Sequence, residues 1–347
     1  MNTMQYIGLD LHKKTIWACA KRADGTLVER RKIPARHDEL TRWAQRQPKP
    51  WMGIMEATLF TGWVYDTLQP HASELKVVHP AMAKAISAGK HSNDRVDSEQ
   101  LADMGRCNWV PECYMMPAAE RHLRRMLRYR TKLLSESVRF QNIMAGLLLS
   151  EGVEYRAPQL SSQRRASAFL DSLSELPEST RQLLRLSRSF VSLFNRTQRQ
   201  LLQELRKHPR LQERVERLES IDGVGTIMAL TWVLEVGDPQ RLGSVAKARS
   251  YCGLTVADRR SADHVYSGPL SKQRNRHLQR VLVEVAQLAP RFNPALKALY
   301  DRERQRHSHN EVTILVARKL VAYLLAVDKS GRRFAALEEA KSNCPTV

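Results

Sequence analysis

Gln5-Tyr6-Ile7-Gly8-Leu9-Asp10-Leu11 sets an aspartate inside an otherwise apolar run of strand character. Aspartate is depleted in strands, and a carboxylate taken out of water is costly unless it is paired or bound to a metal. Asp10 therefore needs a partner. Outward from this run, Thr15 to Lys21 has the same character, and Asp24-Gly25 is a hairpin signal ahead of a third run, Leu27 to Ile33. Three antiparallel strands are expected. The pattern then alternates, with a helix over His37 to Gln45, a short apolar strand over Trp51 to Glu56, a helix over Gly62 to Leu68 and a strand over Leu75 to Val78.

A meander followed by alternating helix and parallel strand predicts a mixed α/β sheet domain. The ribonuclease H architecture has that order, and many α+β domains share it. Beyond Pro117 the composition shifts to Arg- and Leu-rich stretches, Ala118 to Ser150 and Ser179 to His208, which read as long helices. In the second, Phe190, Phe194, Thr197, Leu201 and Leu205 fall at spacings of four, three, four and four. That seam fits a coiled-coil or oligomer contact, or an ordinary intramolecular pair of helices. Between the stretches, Glu151 to Gln163 reads as a linker. Ile221-Asp222-Gly223-Val224-Gly225 then runs into the apolar Ile227 to Val236, similar to a helix-hairpin-helix, where a glycine turn exposes backbone N–H groups to a phosphate. A plain tight turn between packed helices reads almost the same. The expected fold is thus α/β followed by α, with boundaries at 1–117, 118–217, 218–330 and a tail over 331–347.

Of 347 residues, 56 are Lys or Arg and 36 are Asp or Glu, a net charge of +20 that calls for a polyanionic partner. Nucleic acid fits first. The opening residues lack the three-part order of a signal peptide, and no apolar run approaches the roughly 20 residues that span a bilayer, so a cytoplasmic, membrane-free protein is expected. Cys19, Cys107, Cys113, Cys252 and Cys344 form no C-x-x-C pair, which argues against a disulfide framework or a zinc ribbon.

Three further carboxylates join Asp10 as candidates. Glu56 ends the apolar strand Met52-Gly53-Ile54-Met55-Glu56, and Asp94 and Asp97 stand three apart at a helix start, on one helical face. Taken singly, each also suits a solvated strand end or a helix cap. Together, four hard oxygen donors suit one or two Mg²⁺ ions, and two such ions about 4 Å apart clamp the attacking and leaving oxygens of a phosphodiester.

Tyr6-Ile-Gly-Leu-Asp10-Leu-His-Lys-Lys14, Met55-Glu56-Ala57-Thr58, His79-Pro-Ala-Met-Ala-Lys84 and Asp94-Arg-Val-Asp97 through Leu101-Ala102 resemble the DEDD transposases of insertion-sequence family one-ten and its eleven-eleven subgroup, relatives of the Piv invertase. Leu218 to Gly225, Glu235-Val-Gly-Asp238, Ala248 to Leu254 and Leu270-Ser-Lys272 through Asn275 resemble that family's carboxy-terminal domain. The resemblance implies a RuvC-like domain in which Asp10, Glu56, Asp94 and Asp97 bind Mg²⁺, or Mn²⁺ in its place. It also implies a serine nucleophile. By spacing that serine is Ser261, followed here by Ala262 where the family has glycine. Ser267, which precedes Gly268, is the rival. The expected activity is DNA strand cleavage and transfer by an insertion-sequence transposase. Its partners would be donor and target DNA, a structured noncoding guide RNA and further copies of the chain in a dimer or tetramer. The residues alone leave open a hydrolytic junction endonuclease and a noncatalytic nucleic-acid-binding protein. Without the resemblance, Ser261 reads as a surface serine in the polar stretch Asp258 to His264. Two basic groups are candidates for phosphate contacts: Lys272, Arg274, Arg276, His277 and Arg280, and Arg121, Arg124, Arg125 and Arg128.

Overall fold

The computed structural model describes residues 4–86, 93–160, 162–261 and 264–335. The chain divides into two compact units, Met1–Ala118 and Ala119–Val347.

In the first unit the expected strands and helices form within a residue or so of their predicted limits. They are β1 (Gln5–Leu11), β2 (Thr15–Lys21), β3 (Leu27–Pro34), α1 (His37–Gln45), β4 (Trp51–Glu56), α2 (Thr61–Leu68) and β5 (Glu74–Val78); a helix the sequence reading did not include, α3 (Pro80–Ile86), follows, and then α4 (Asp94–Arg106), which starts at the Asp94–Asp97 pair. The sheet order is β3-β2-β1-β4-β5, antiparallel between β1, β2 and β3 and parallel between β1, β4 and β5. Because side chains alternate along a strand, each strand supplies two layers. Ile7, Leu9, Ile16, Ala18, Trp51 and Met55 pack with Leu40 and Trp43 of α1 and Val64 and Leu68 of α2. On the other face Met52 and Ile54 pack with Leu101 and Met104 of α4. Asp10 and Glu56 share the register of this second face, one residue beyond the paired Leu9 and Met55.

The second unit is mainly helical. It comprises α5 (Ala118–Ser150), α6 (Gln163–Asp171), α7 (Glu178–Lys207), α8 (Pro209–Glu219), α9 (Thr226–Val236), α10 (Val245–Tyr251), a hairpin of β6 (Val256–Ser261) and β7 (His264–Leu270), then α11 (Arg276–Leu288), α12 (Pro294–Glu303) and α13 (His309–Ser330). One core gathers α8, α9, α11 and α13 around Trp232, Leu282 and Leu320, and takes in Leu123 and Leu127 from the start of α5. A second joins the far end of α5, through Met144 and Leu148, to α6 and to Leu184 and Val191 of α7. The α8–α9 turn holds Gly223 at φ +89°, where a Cβ would also meet Ala289 at 3.0 Å, so glycine is needed there on both counts.

One expectation changes, and one of two open alternatives gains support. The stretch Asp258 to His264, read as a loop, belongs to the antiparallel β6–β7 hairpin, in which Ser261 pairs with His264 and Asp258 with Ser267. Its first strand is mostly polar and its second contains Gly268 and Pro269, so neither shows the apolar alternation that would have revealed it. The seam on α7 is partly intramolecular. Phe140 of α5 stacks near Phe190 and Phe194, with ring centroids 5.0 and 5.9 Å away, and Ser137 Oγ donates to Asn195 Oδ1 at 2.9 Å.

Candidate active site

The packing of α4 begins with a missing side chain. Gly8 lies two residues before Asp10, on the same strand face, and a Cβ there would stand 1.9 Å from the Ser98 carbonyl oxygen and 2.5 Å from the Ala102 nitrogen. Only glycine lets the α4 backbone lie against β1. Gly105 does the same farther along, where a Cβ would meet Ile54 Cδ1 at 2.4 Å. Two ion pairs hold the helix from the side, Lys21 Nζ to Asp103 at 2.7 Å and Arg30 to Glu99. Since Ser98 and Ala102 cover Gly8, and Gly105 lies near Tyr6, α4 runs antiparallel to β1. Its N-terminus therefore arrives at the end of the strand where Asp10 stands.

There the Asn93 side chain caps α4 by accepting from the Val96 N–H at 3.0 Å, and Asp94 and Asp97 occupy the first turn. Helix N-termini favour negative charge, so both acids are tolerated at this position. His12 Nε2 lies 2.9 Å from Asp10 Oδ2 and 3.3 Å from Asp94 Oδ1. One ligand atom from each of Asp10, His12 and Asp94 falls within 4.8 Å of the others. Glu56 and Asp97 flank this group without belonging to it: Glu56 on the neighbouring strand, anchored through its carbonyl oxygen to Thr61 Oγ1 at 2.7 Å, and Asp97 one turn into α4. Burial raises the Asp10 carboxyl above its ordinary value. The hydrogen bond from His12 works against this, and the charges of Asp94 and Asp97 add to it. For His12, burial lowers the ring's affinity for a proton, but the hydrogen bond and charge of Asp10, followed by Asp94, outweigh that and raise it. Carboxylate oxygens converging on one point, that of Asp10 largely withdrawn from water and crowded by like charge, fit a divalent cation.

Neither His12 nor Gly8 stood among the expected site residues. The signal for His12 was its period-two spacing from Asp10, which puts both on one strand face. For Gly8 the signal was a glycine in a strand interior, a mark of close backbone approach.

In the second unit Ser261 ends β6 beside the hairpin tip, and Ser267 lies within β7. Residues 262 and 263, Ala262 among them, lie outside the described residues, as does the tail from 336 with Cys344. The basic groups resolve differently. Arg128 is committed to the fold: its Nε and Nη2 donate to the two carboxylate oxygens of Glu235 at 2.8 and 2.7 Å, and Asn275 Nδ2 adds a third hydrogen bond at 2.9 Å. Tyr251 closes this network, its hydroxyl donating to the Glu235 carbonyl at 2.7 Å. Burial of Glu235 would raise its carboxyl, but Arg128 and then Asn275 hold it below the usual range. A carboxylate within the apolar run of α9 is thus explained by a long-range partner. Arg280 pairs with Glu284 at 3.0 Å, Arg274 donates to the Ser271 carbonyl at 2.7 Å, and burial lowers the pKa of His277.

Among the described residues no helix is long and apolar enough to cross a membrane. The family model of IS110-type DEDD transposases matches residues 7–151, a span that contains Asp10, Glu56, Asp94 and Asp97. That of the IS116/IS110/IS902 transposase family matches residues 215–301. The transposase for insertion sequence element IS1328 of Yersinia enterocolitica is 23% identical over 348 residues, covering 96% of this chain and 99% of the relative. The putative transposase y4pF/y4sB of Sinorhizobium fredii is 26% identical over 80% of this chain and 70% of its own length. A probable family 20 transposase of Pseudomonas aeruginosa is 23% identical over 82% of this chain and 84% of its own. DEDD transposases work with divalent metal ions, which the carboxylates gathered at the end of β1 suit. With both halves matched, on either side of the helical stretch between them, the chain belongs to the IS110 family of insertion-sequence transposases, enzymes that act on DNA.

Proposed function

We propose that this transposase cuts and rejoins DNA strands through a phosphoserine intermediate, with Ser261 as nucleophile and Asp10, Glu56, Asp94 and Asp97 holding Mg²⁺. The observation that carries the reading is the approach of α4 over Gly8, which brings the Asp94 carboxylate beside Asp10 at the C-terminal end of β1. The bound ion supplies Lewis-acid stabilisation of charge on the phosphodiester oxygens. Ser261 Oγ forms the new bond to phosphorus as the bond to the departing strand's oxygen breaks, and the hydroxyl proton passes to a base. Attack by the hydroxyl of an incoming strand reverses the step, so no nucleotide cofactor is needed. The serine assignment places a metal-binding region in 1–117, a helical region in 118–217 and the nucleophile in 218–330, ahead of a tail over 331–347.

Strand exchange requires several cleavages held together, which calls for a dimer or tetramer. An apolar stripe on α7 supports self-association of this chain: Leu183, Leu186, Phe190 and Leu193, at spacings of three, four and three, are 44–52% exposed. The guide RNA follows from the family resemblance and suits the +20 charge. Site-selective activity that persists after complete RNase treatment would remove it from the account.

A labelled suicide substrate tests the chemistry. The DNA should stay covalently attached at Ser261, identified by mass spectrometry, and Ser261→Ala should lose the adduct while still binding DNA. An adduct that survives Ser261→Ala and vanishes in Ser267→Ala moves the nucleophile to Ser267. Cleavage without any adduct means that water attacks, as in a junction endonuclease.

A further inference from the structure

The turn between β1 and β2 carries a side chain that the acidic tetrad does not account for. His12 follows Asp10 by two positions, so both side chains rise from the same face of the sheet. Its backbone is fixed by the hydrogen bond from its N–H to the Thr15 carbonyl at 2.9 Å, which starts the reversal into β2. The hairpin therefore fixes the backbone from which the ring reaches the site. Nε2 points between two carboxylates on different elements, 2.9 Å from Asp10 Oδ2 on β1 and 3.3 Å from Asp94 Oδ1 on α4. A single N–H cannot serve two acceptors at full strength, whereas one cation set among the nitrogen and the two oxygens would serve all three. The spacing also suits coordination. Adjacent donors around an octahedral ion with bonds of about 2.1 Å stand about 3 Å apart, which both separations approach. With His12 and Asp94 both about half exposed, an ion can reach the position from solvent.

We propose that His12 supplies an imidazole nitrogen to the divalent ion held by Asp10 and Asp94, and so turns this centre from Mg²⁺ toward Mn²⁺. The inference rests on the metal-site reading of those carboxylates. Mg²⁺ is a hard ion that keeps oxygen ligands and gives up water reluctantly, whereas imidazole binds transition-metal ions, so exchanging one oxygen donor for nitrogen penalises Mg²⁺ more. In the metal-bound form the Nε2 lone pair faces the ion and the ring proton sits on Nδ1. The carboxylates keep their partner position and exchange a hydrogen bond for a shared cation.

The test uses the full chain, free of nucleic acid, with Mn²⁺ as the probe. Pulsed electron paramagnetic resonance of bound Mn²⁺ should show the modulation of a directly coordinated nitrogen, and His12→Ala should abolish it. Competition titrations should show Mn²⁺ affinity falling on the order of 10-fold in His12→Ala while Mg²⁺ affinity changes far less. An oxygen-only spectrum in the wild-type protein overturns the inference. So does a nitrogen signal that persists in His12→Ala, or an equal loss of both ions, which would make His12 a positioning residue for Asp10. Asp10→Asn and Asp94→Asn separate the two claims. If either retains full Mn²⁺ affinity, the metal-site reading itself fails. If both lose it while the wild-type spectrum lacks nitrogen, only the role of His12 falls.

Discussion

Asp10 and Asp94 come together because Gly8 has no side chain, so substitutions at these three positions should separate folding from chemistry. Asp10→Asn and Asp94→Asn keep the shape of the site and remove a charge from a crowded group of carboxylates. Each should keep the wild-type melting temperature or exceed it, yet lose Mg²⁺-dependent strand cleavage. Wild-type cleavage rates in either variant would sink the metal-site assignment. Gly8→Ala should do the opposite, because its new Cβ meets α4 backbone that has no alternative rotamer. Overpacking of this kind costs about 1–3 kcal/mol, and the cleavage defect should follow from displacement of α4 although every carboxylate remains. Denaturant unfolding alongside a cleavage assay would show it, and a neutral Gly8→Ala would refute the close-approach argument.

At the scale of elements, α7 faces two ways. Leu184, Val191 and Leu205 are buried against the rest of the second unit, while Leu183, Leu186, Phe190 and Leu193 form the exposed stripe. Replacing two of the exposed residues outside the Phe140 cluster, as in Leu183→Glu with Leu186→Glu, should lower the unfolding midpoint only slightly, since both side chains are already half exposed within one chain. The same pair should shift the molecular mass measured by light scattering toward that of a single chain. An unchanged mass would show that this stripe makes no contact between copies. The periodicity of α7 was readable in the sequence as a seam from Phe190 to Leu205. Which of its neighbouring stripes is buried was not, because both are apolar and the partner helices determine the choice.

For the molecule as a whole, charge acts in two ways. Most of the +20 excess is solvated and should bind nucleic acid with steep salt dependence, the affinity falling by about a thousandfold between 50 and 200 mM salt if some six phosphates are neutralised. A salt-independent affinity would argue against phosphate contacts. Arg128 belongs to the second kind. It neutralises Glu235, whose side chain is 1% exposed, so Arg128→Met leaves a buried carboxylate uncompensated. The expected destabilisation at neutral pH is about 3 kcal/mol, the low end for a broken buried pair because Arg128 is itself partly solvated. Glu235 is held below its usual range in the fold, so its contribution is present above the ordinary carboxylate pKa and is lost as pH falls through the depressed value. The gap between wild type and Arg128→Met should therefore narrow in acid. Urea midpoints measured across the acid range would reveal a gap that stays constant, which would contradict the pairing.

The sequence by itself determined the order of elements in the first unit from β1 to β5, though not the short α3 that follows. Local alternation and the Asp24-Gly25 turn are properties of neighbouring residues, and they place Asp10 and Glu56 on their strands whatever happens elsewhere. It also marked Asp94 and Asp97 as a pair on one helical face. Only the tertiary structure decided that Asp94 meets Asp10, because that contact depends on α4 crossing β1 at a glycine more than eighty residues away in the chain. The same holds for His12 between the two carboxylates and for Glu235 against Arg128, groups whose meaning lies in partners that no local pattern names. The β6–β7 hairpin that bears Ser261 was hidden for a related reason. Its pairing is set by backbone hydrogen bonds between Val256–Ser261, which is mostly polar, and His264–Leu270, which contains Gly268 and Pro269, so neither strand displays a local alternation in the sequence.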